Sequence, residues 1–86
     1  MDDAKIADEV EALEAEERKL RHDEEVAAEA GRRDLVEAEK ARLEEIRLRL
    51  KQLADLQHQR TALRNAGGDP ADAQMRDAKT IEAYRG

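Results

Sequence analysis

Asp55 and His58 are the pair in this chain whose types and spacing best suit metal chemistry. Three residues apart on a helix, a carboxylate and an imidazole project from one face. In carboxylate-bridged di-iron bundles the corresponding pair is Glu-x-x-His, completed by an acid from a facing helix. Here Asp8 or Glu9 would supply that acid, which makes an iron-type helical bundle using Asp55 and His58 one functional alternative. Against it, Asp is shorter than Glu and the neighbouring slots hold leucines, so two solvated surface residues are the plainer reading. No metal or other cofactor is therefore expected. Nucleophilic catalysis has little to draw on, because Cys and Ser are absent and the hydroxyls are Thr61, Thr80 and Tyr84. Gly67-Gly68 lacks the Lys and Ser/Thr of a phosphate-binding loop. Carboxylates abound, but a helix surface does not bury them enough to separate an acid from a base. The chain is expected to be no enzyme.

Two segments must position these residues. In the first, Ile6, Val10, Leu13 and Leu20 follow a four-three repeat, with Glu17 in the slot between the last two. In the second, Val36, Leu43, Ile46, Leu50 and Leu53 follow the same repeat, with Glu39 in one slot. The spacing predicts a helix over 4–30, a turn at 31–33 and a helix over 34–65, the second returning along the first as an antiparallel coiled-coil hairpin. Asp2 or Asp3 is placed to cap the first helix, and Gly31 offers a left-handed position to end it. Asp34 with Glu37 reads as a capping box for the second. Folding about the turn pairs positions whose numbers sum to roughly 63, bringing Leu13 to Leu50, Val10 to Leu53 and Ile6 near Leu56.

Charge supports that alignment. Residues 1–30 hold twelve acids and four bases, whereas residues 31–68 hold six acids and nine bases. Asp8, Glu9, Glu11, Glu14 and Glu16 are expected to lie along Arg47, Arg49, Lys51 and Arg60. Exposed pairs contribute only ~0.2–1 kcal/mol each, so they select register more than they stabilise. The hairpin occupies 1–66. Residues 67–86 form a tail in which Asp69-Pro70 starts one or two helical turns.

An 86-residue chain without cysteine has neither a large core nor disulfides to hold it, so oligomerisation is the expected support. The second arm carries more leucines than one seam uses. Leu35, Ile46, Leu48, Leu56 and Leu63 are the expected interface of a homodimer forming a four-helix bundle. Ile81 and Tyr84, at helical spacing in the tail, are candidates for a partner-binding motif. The plainer alternative folds them back over the apolar ends of the arms near Ile6, Leu56 and Leu63. Tyr84 is the sole aromatic residue, which excludes stacking platforms for single-stranded nucleic acid. A net charge of −6 argues against nucleic acid or an anionic membrane as partner, and the basic set Arg42, Arg47, Arg49, Lys51, Arg60 and Arg64 is read as neutralised by the acidic arm. No apolar run approaches the ~20 residues of a membrane span, and Met1–Lys5 lacks an apolar leader, so a cytoplasmic protein is expected.

Gln52, Asp55, Leu56, Gln59, Arg60, Arg64, Gly68-Asp69-Pro70 and the Ile81-Glu82-x-Tyr84 motif, together with Glu16, Glu17 and Leu20, resemble a family of short bacterial helical proteins of unknown function. Where that family tends to place an aromatic residue, this chain has Ala54. The resemblance implies a helical protein of this size and supplies no activity. The function expected is a non-catalytic protein–protein interaction or scaffolding module. A further alternative, resting on outline alone, is a transcription-associated coiled-coil factor with an acidic tip at Asp23, Glu24, Glu25, Glu29 and Asp34.

Overall fold

A computed structural model describes the backbone of residues 1–85 and the side chains through Ala83. The fold is all-α: α1 spans Asp3–Glu29, α2 spans Arg33–Asn65, a single 3₁₀ turn spans Pro70–Asp72, and α3 spans Ala78–Arg85. The two long helices pack antiparallel as a hairpin, and residues 69–85 return along α2 as a strap. The radius of gyration is 16.2 Å, against about 12 Å for a compact domain of this length. The chain is thus a slab of 55 × 27 × 14 Å.

Local chemistry explains each boundary. Asp2 is the N-cap of α1, its carboxylate accepting the Lys5 N–H at 2.8 Å. Gly31 then takes φ 72°, a conformation that costs other L-residues ~1–2 kcal/mol. The Arg32 and Gly31 N–H groups bond back to the carbonyls of Ala27 and Ala28, closing α1 with a Schellman turn. The same device ends α2, where Gly67 has φ 79° and the Gly68 N–H reaches the Leu63 carbonyl at 2.7 Å. Gly68 also lies against Leu63, whose side chain would stand 3.3 Å from a Cβ there. The capping box expected at Asp34 does not form. Because the Schellman turn uses only Gly31 and Arg32, α2 begins at Arg33 with Arg32 as its N-cap residue, and Asp34 falls within the first turn. Asp34 instead accepts hydrogen bonds from the Arg32 guanidinium.

Ile6, Leu53 and Leu56 form a buried cluster, with Val10, Leu13 and Ala73 packed against it. This joins the start of α1, the middle of α2 and the strap. Ile46 and Leu53 are fully enclosed, and Ile81 of α3 is 2% exposed. Each such side chain contributes about 1.5–3 kcal/mol relative to exposure. Glu17, in the apolar seam, turns along its own helix to Arg21.

Ion pairs along one flank follow the heptad. Glu9 and Glu16, seven residues apart, pair with Arg49 and Arg42, also seven apart and in reverse order. Asp3 takes both Arg60 and Arg64 near the chain's N-terminal end. Two basic residues expected along α1 lie elsewhere: Arg47 pairs with Glu44 of its own helix and Glu82 of α3, and Lys51 pairs with Glu82 at 3.1 Å. The tail claims them because α3 runs along that side of α2.

The Arg49 guanidinium holds the Glu9 carboxyl below its ordinary value of 4.5, and Arg42 does the same for Glu16. A carboxyl with a lowered value in the folded state adds stability that is present above 4.5 and lost as pH falls through the lowered value. The melting temperature should therefore fall from about pH 5 to about pH 3, and less steeply in Arg49→Gln. A melting temperature that holds or rises over that range, followed by circular dichroism, would contradict these pairings.

Candidate functional site

Asp55, one of the two residues that sequence spacing offered for chemistry, is taken up by the strap. Asp55 lies on α2 with only 4% exposure. Its carboxylate accepts the Arg76 Nε–H at 2.9 Å, a second bond from the other end of that guanidinium, and the Gln59 amide N–H at 2.8 Å. A buried carboxylate without such partners would be strongly unfavourable. A guanidinium can meet both oxygens at once, which makes Arg suited to this role.

Gln59 does more than support Asp55. Its amide nitrogen also donates to the Gln74 carbonyl at 2.8 Å, while its oxygen accepts the Gln74 N–H at 3.2 Å. One α2 side chain thus engages both main-chain groups of a strap residue, as a neighbouring β-strand would. One turn before Asp55, Gln52 donates to the Arg76 carbonyl at 3.1 Å. Beyond Gln59, Arg60 donates to the Pro70 carbonyl at 3.1 Å. Asp69 caps the 3₁₀ turn through the Ala71 N–H, and Asp77 caps α3 through the Thr80 N–H. Gln52, Asp55 and Gln59 stand at i, i+3 and i+7, a polar line on α2 that fastens the extended part of the strap.

His58 is exposed, whereas Asp55 is buried and its oxygens are occupied. Glu9, which would have faced them, is bound by Arg49. Among the described residues no group of three or more His, Cys, Asp or Glu side chains is placed to hold a metal ion. His22 is likewise exposed.

The five residues expected at an interface are divided. Ile46 and Leu56 are buried within the chain, Leu48 and Leu63 are half-buried, and Leu35 is 41% exposed. Ile81 is enclosed where α3 crosses α2 near Arg47 and Lys51, toward the middle of that helix. The Tyr84 side chain lies outside the described residues.

Among the described residues, exposed large apolar side chains stand at the hinge, Val26 and Leu35, and also at Met1 and Met75. A cleft of about 320 Å³ is lined by Asp23, Val26, Ala27, Ala30, Arg32, Leu35 and Glu39. Val26 is 52% exposed there, beside Leu35. Glu39 is half-buried, and its Oε2 is closed off from water without a hydrogen-bond partner. Sequence reading marked Glu39 as a polar interruption of the seam. Its position near the hinge, seven residues before the enclosed Ile46, is the signal that now gains meaning. Arg76, by contrast, carries no periodic signal in its own segment.

The family described as Protein of unknown function (DUF2630) matches residues 2–86. The chain is 46% identical over 48 residues to uncharacterized protein Rv0898c of Mycobacterium tuberculosis and, to the same extent, to uncharacterized protein Mb0922c of Mycobacterium bovis. Each match covers 56% of this chain and 55% of the relative, so the aligned part spans about half the length of the curated relatives. No solved structure matches the chain. Among the described residues no helix is long and apolar enough to cross a membrane.

The buried pair is asymmetric, and so is the cost of breaking it. Arg76→Ala strands a carboxylate that has 5% of its side chain exposed, and should cost on the order of 3 kcal/mol. Asp55→Ala leaves a guanidinium whose side chain is already 37% exposed and can turn to water, so roughly 1–2 kcal/mol is expected. Urea unfolding of both variants checks the order. Equal costs, or a larger cost for Asp55→Ala, would contradict the burial argument.

Proposed function

The chain belongs to the DUF2630 family, and we propose that it serves as a non-catalytic protein–protein interaction or scaffolding module in the cytoplasm. The observation that carries this reading is the hinge end. A chain that encloses Ile6, Ile46, Leu53, Leu56 and Ile81 leaves Val26 and Leu35 open around a cleft. Exposed apolar side chains grouped around a concavity and flanked by charge are what a docking surface presents. The residues of greatest chemical potential support the same reading from the other side. Asp55 serves to anchor the strap, and the sequence holds neither Cys nor Ser as a nucleophile. A slab 55 Å long also suits a spacer that holds one end while presenting the other.

Homo-oligomerisation belongs to this proposal. Of the five leucine and isoleucine positions that sequence assigned to a dimer seam, Leu35 is the one that stays widely exposed. The hinge is accordingly the face on which association is built. The test is retention on the immobilised full-length chain, with wild type and Leu35→Asp compared side by side in an extract of a bacterium that carries it. A discrete set of proteins held by wild type and lost with Leu35→Asp is expected. Proteins held equally by both baits, or none held by either, would count against the hinge as a binding surface.

A further inference from the structure

We infer that the hinge cleft docks a second copy of this chain through a two-fold contact that sets Arg32 of each copy against Glu39 of the other. This inference rests on the reading of the chain as an interaction module and names the partner and the pairing.

The first observation is a sequence order at the start of α2, whose N-cap residue is Arg32. Arg32, Leu35 and Glu39 stand at i, i+3 and i+7, and all three line the cleft. The order is cation, apolar, anion. A two-fold axis beside Leu35 reverses that order, so a second copy offers anion, apolar, cation to the first. In an antiparallel crossing of the two α2 helices, residue n then lies opposite residue 71 − n. That places 32 against 39 and Leu35 beside Val36. An isologous contact requires such a self-complementary patch.

The second observation is independent of that spacing. Glu39 Oε2 is removed from water and accepts no hydrogen bond, a state that buried polar atoms rarely occupy. Other charged residues lining the cleft do not relieve it. Asp23 carries the same charge, and Arg32 of the same copy is turned to Asp34 at 3.2 Å. That Arg32–Asp34 pair is exposed and contributes little, so the guanidinium can change partner at small cost. A guanidinium arriving from a second copy meets the Glu39 carboxylate once that half-buried side chain turns outward from the seam.

The third observation is access. On the line of Glu39, Ile46 and Leu53, the strap residue Ala73 packs against the cluster that contains Leu53. Among the described residues the strap contacts nearest the hinge are those of Glu82 with Lys51 and Arg47, and the strap residues described through Ala83 do not line the cleft. Ala30 lies exposed in the cleft between Val26 and the hinge, and its small side chain lets a second helix come close. With the two hairpins pointing away from one another, neither strap meets the other copy. An interface confined to about two helical turns is small, which places the association in the transient class.

The experiment is sedimentation equilibrium of the full chain across a wide concentration range, with helicity followed by circular dichroism. Wild type should move from one 9.7 kDa chain toward twice that mass. Arg32→Glu and Glu39→Arg should each weaken association by about tenfold or more. An equimolar mixture of the two single variants should associate at least as well as wild type, because each mixed contact again pairs opposite charges. The double variant should recover association as well. This mixing result does not depend on any one variant's stability, since both chains are measured alone first. A wild type that stays monomeric throughout would overturn the inference, as would single variants that associate like wild type or a mixture no tighter than its parts. If wild type is monomeric while other proteins are still retained through Leu35, self-docking falls and the interaction reading stands. If neither is seen, both fall.

Discussion

A carboxylate enclosed in the face of α2 is the constraint around which the C-terminal third of the chain is organised. Asp55 is nearly free of water, and a charge in that position is sustained only by close opposite charge and hydrogen bonds. Gln59 gives one bond from the same helix, and Arg76 gives the charge from twenty-one residues further on. Bringing Arg76 there obliges the chain to turn at Gly67-Gly68 and run back along α2. The glutamines on either side of Asp55 then hold the main chain of that return segment.

The packing of the hairpin follows from this. Two helices alone enclose little, and a hairpin of this size is marginal without a further layer. The strap supplies that layer from within the chain: Ala73 against the Ile6, Leu53 and Leu56 cluster, and Ile81 of α3 further along. The leucines in excess of one helical seam are therefore partly consumed in cis, which sequence periodicity by itself assigned to a second molecule. Among the described residues, Val26 and Leu35 stay open at the other end of the slab. The fold so divides its labour, one end closed by polar fastening and the other exposing Val26, Leu35 and a carboxylate in want of a partner.

Much of this was legible in the sequence, for definable reasons. The four-three spacing of Ile6, Val10 and Leu13 and of Ile46, Leu50 and Leu53 reports a helix face directly, and Gly31 between them reports the reversal. The strap was legible only in part: Asp69-Pro70 marked its first turn and Ile81 its fold-back, but its path along α2 was not, because the segment is too short and too polar to carry a period. Its attachment depends on side chains of α2 engaging its main chain, which leaves no mark on the strap's own sequence. The clue lay in Gln52, Asp55 and Gln59, a polar line among leucines, and those residues also carry the family resemblance together with Arg60 and Gly68-Asp69-Pro70. Asp34 misled for a local reason: a Schellman turn of Gly31 and Arg32 completes the reversal one residue sooner than an Asp34 cap requires.

The central claim is that the strap is an integral layer of the fold, fastened at Asp55. Truncation after Gly68 tests it most directly, by thermal unfolding of the shortened chain beside the full one. Loss of the layer that encloses the Asp55 face and the Leu53 and Leu56 cluster should lower the melting temperature by on the order of 10 °C or more, or abolish a cooperative transition. A shortened chain that melts cooperatively at the temperature of the full one would contradict the account.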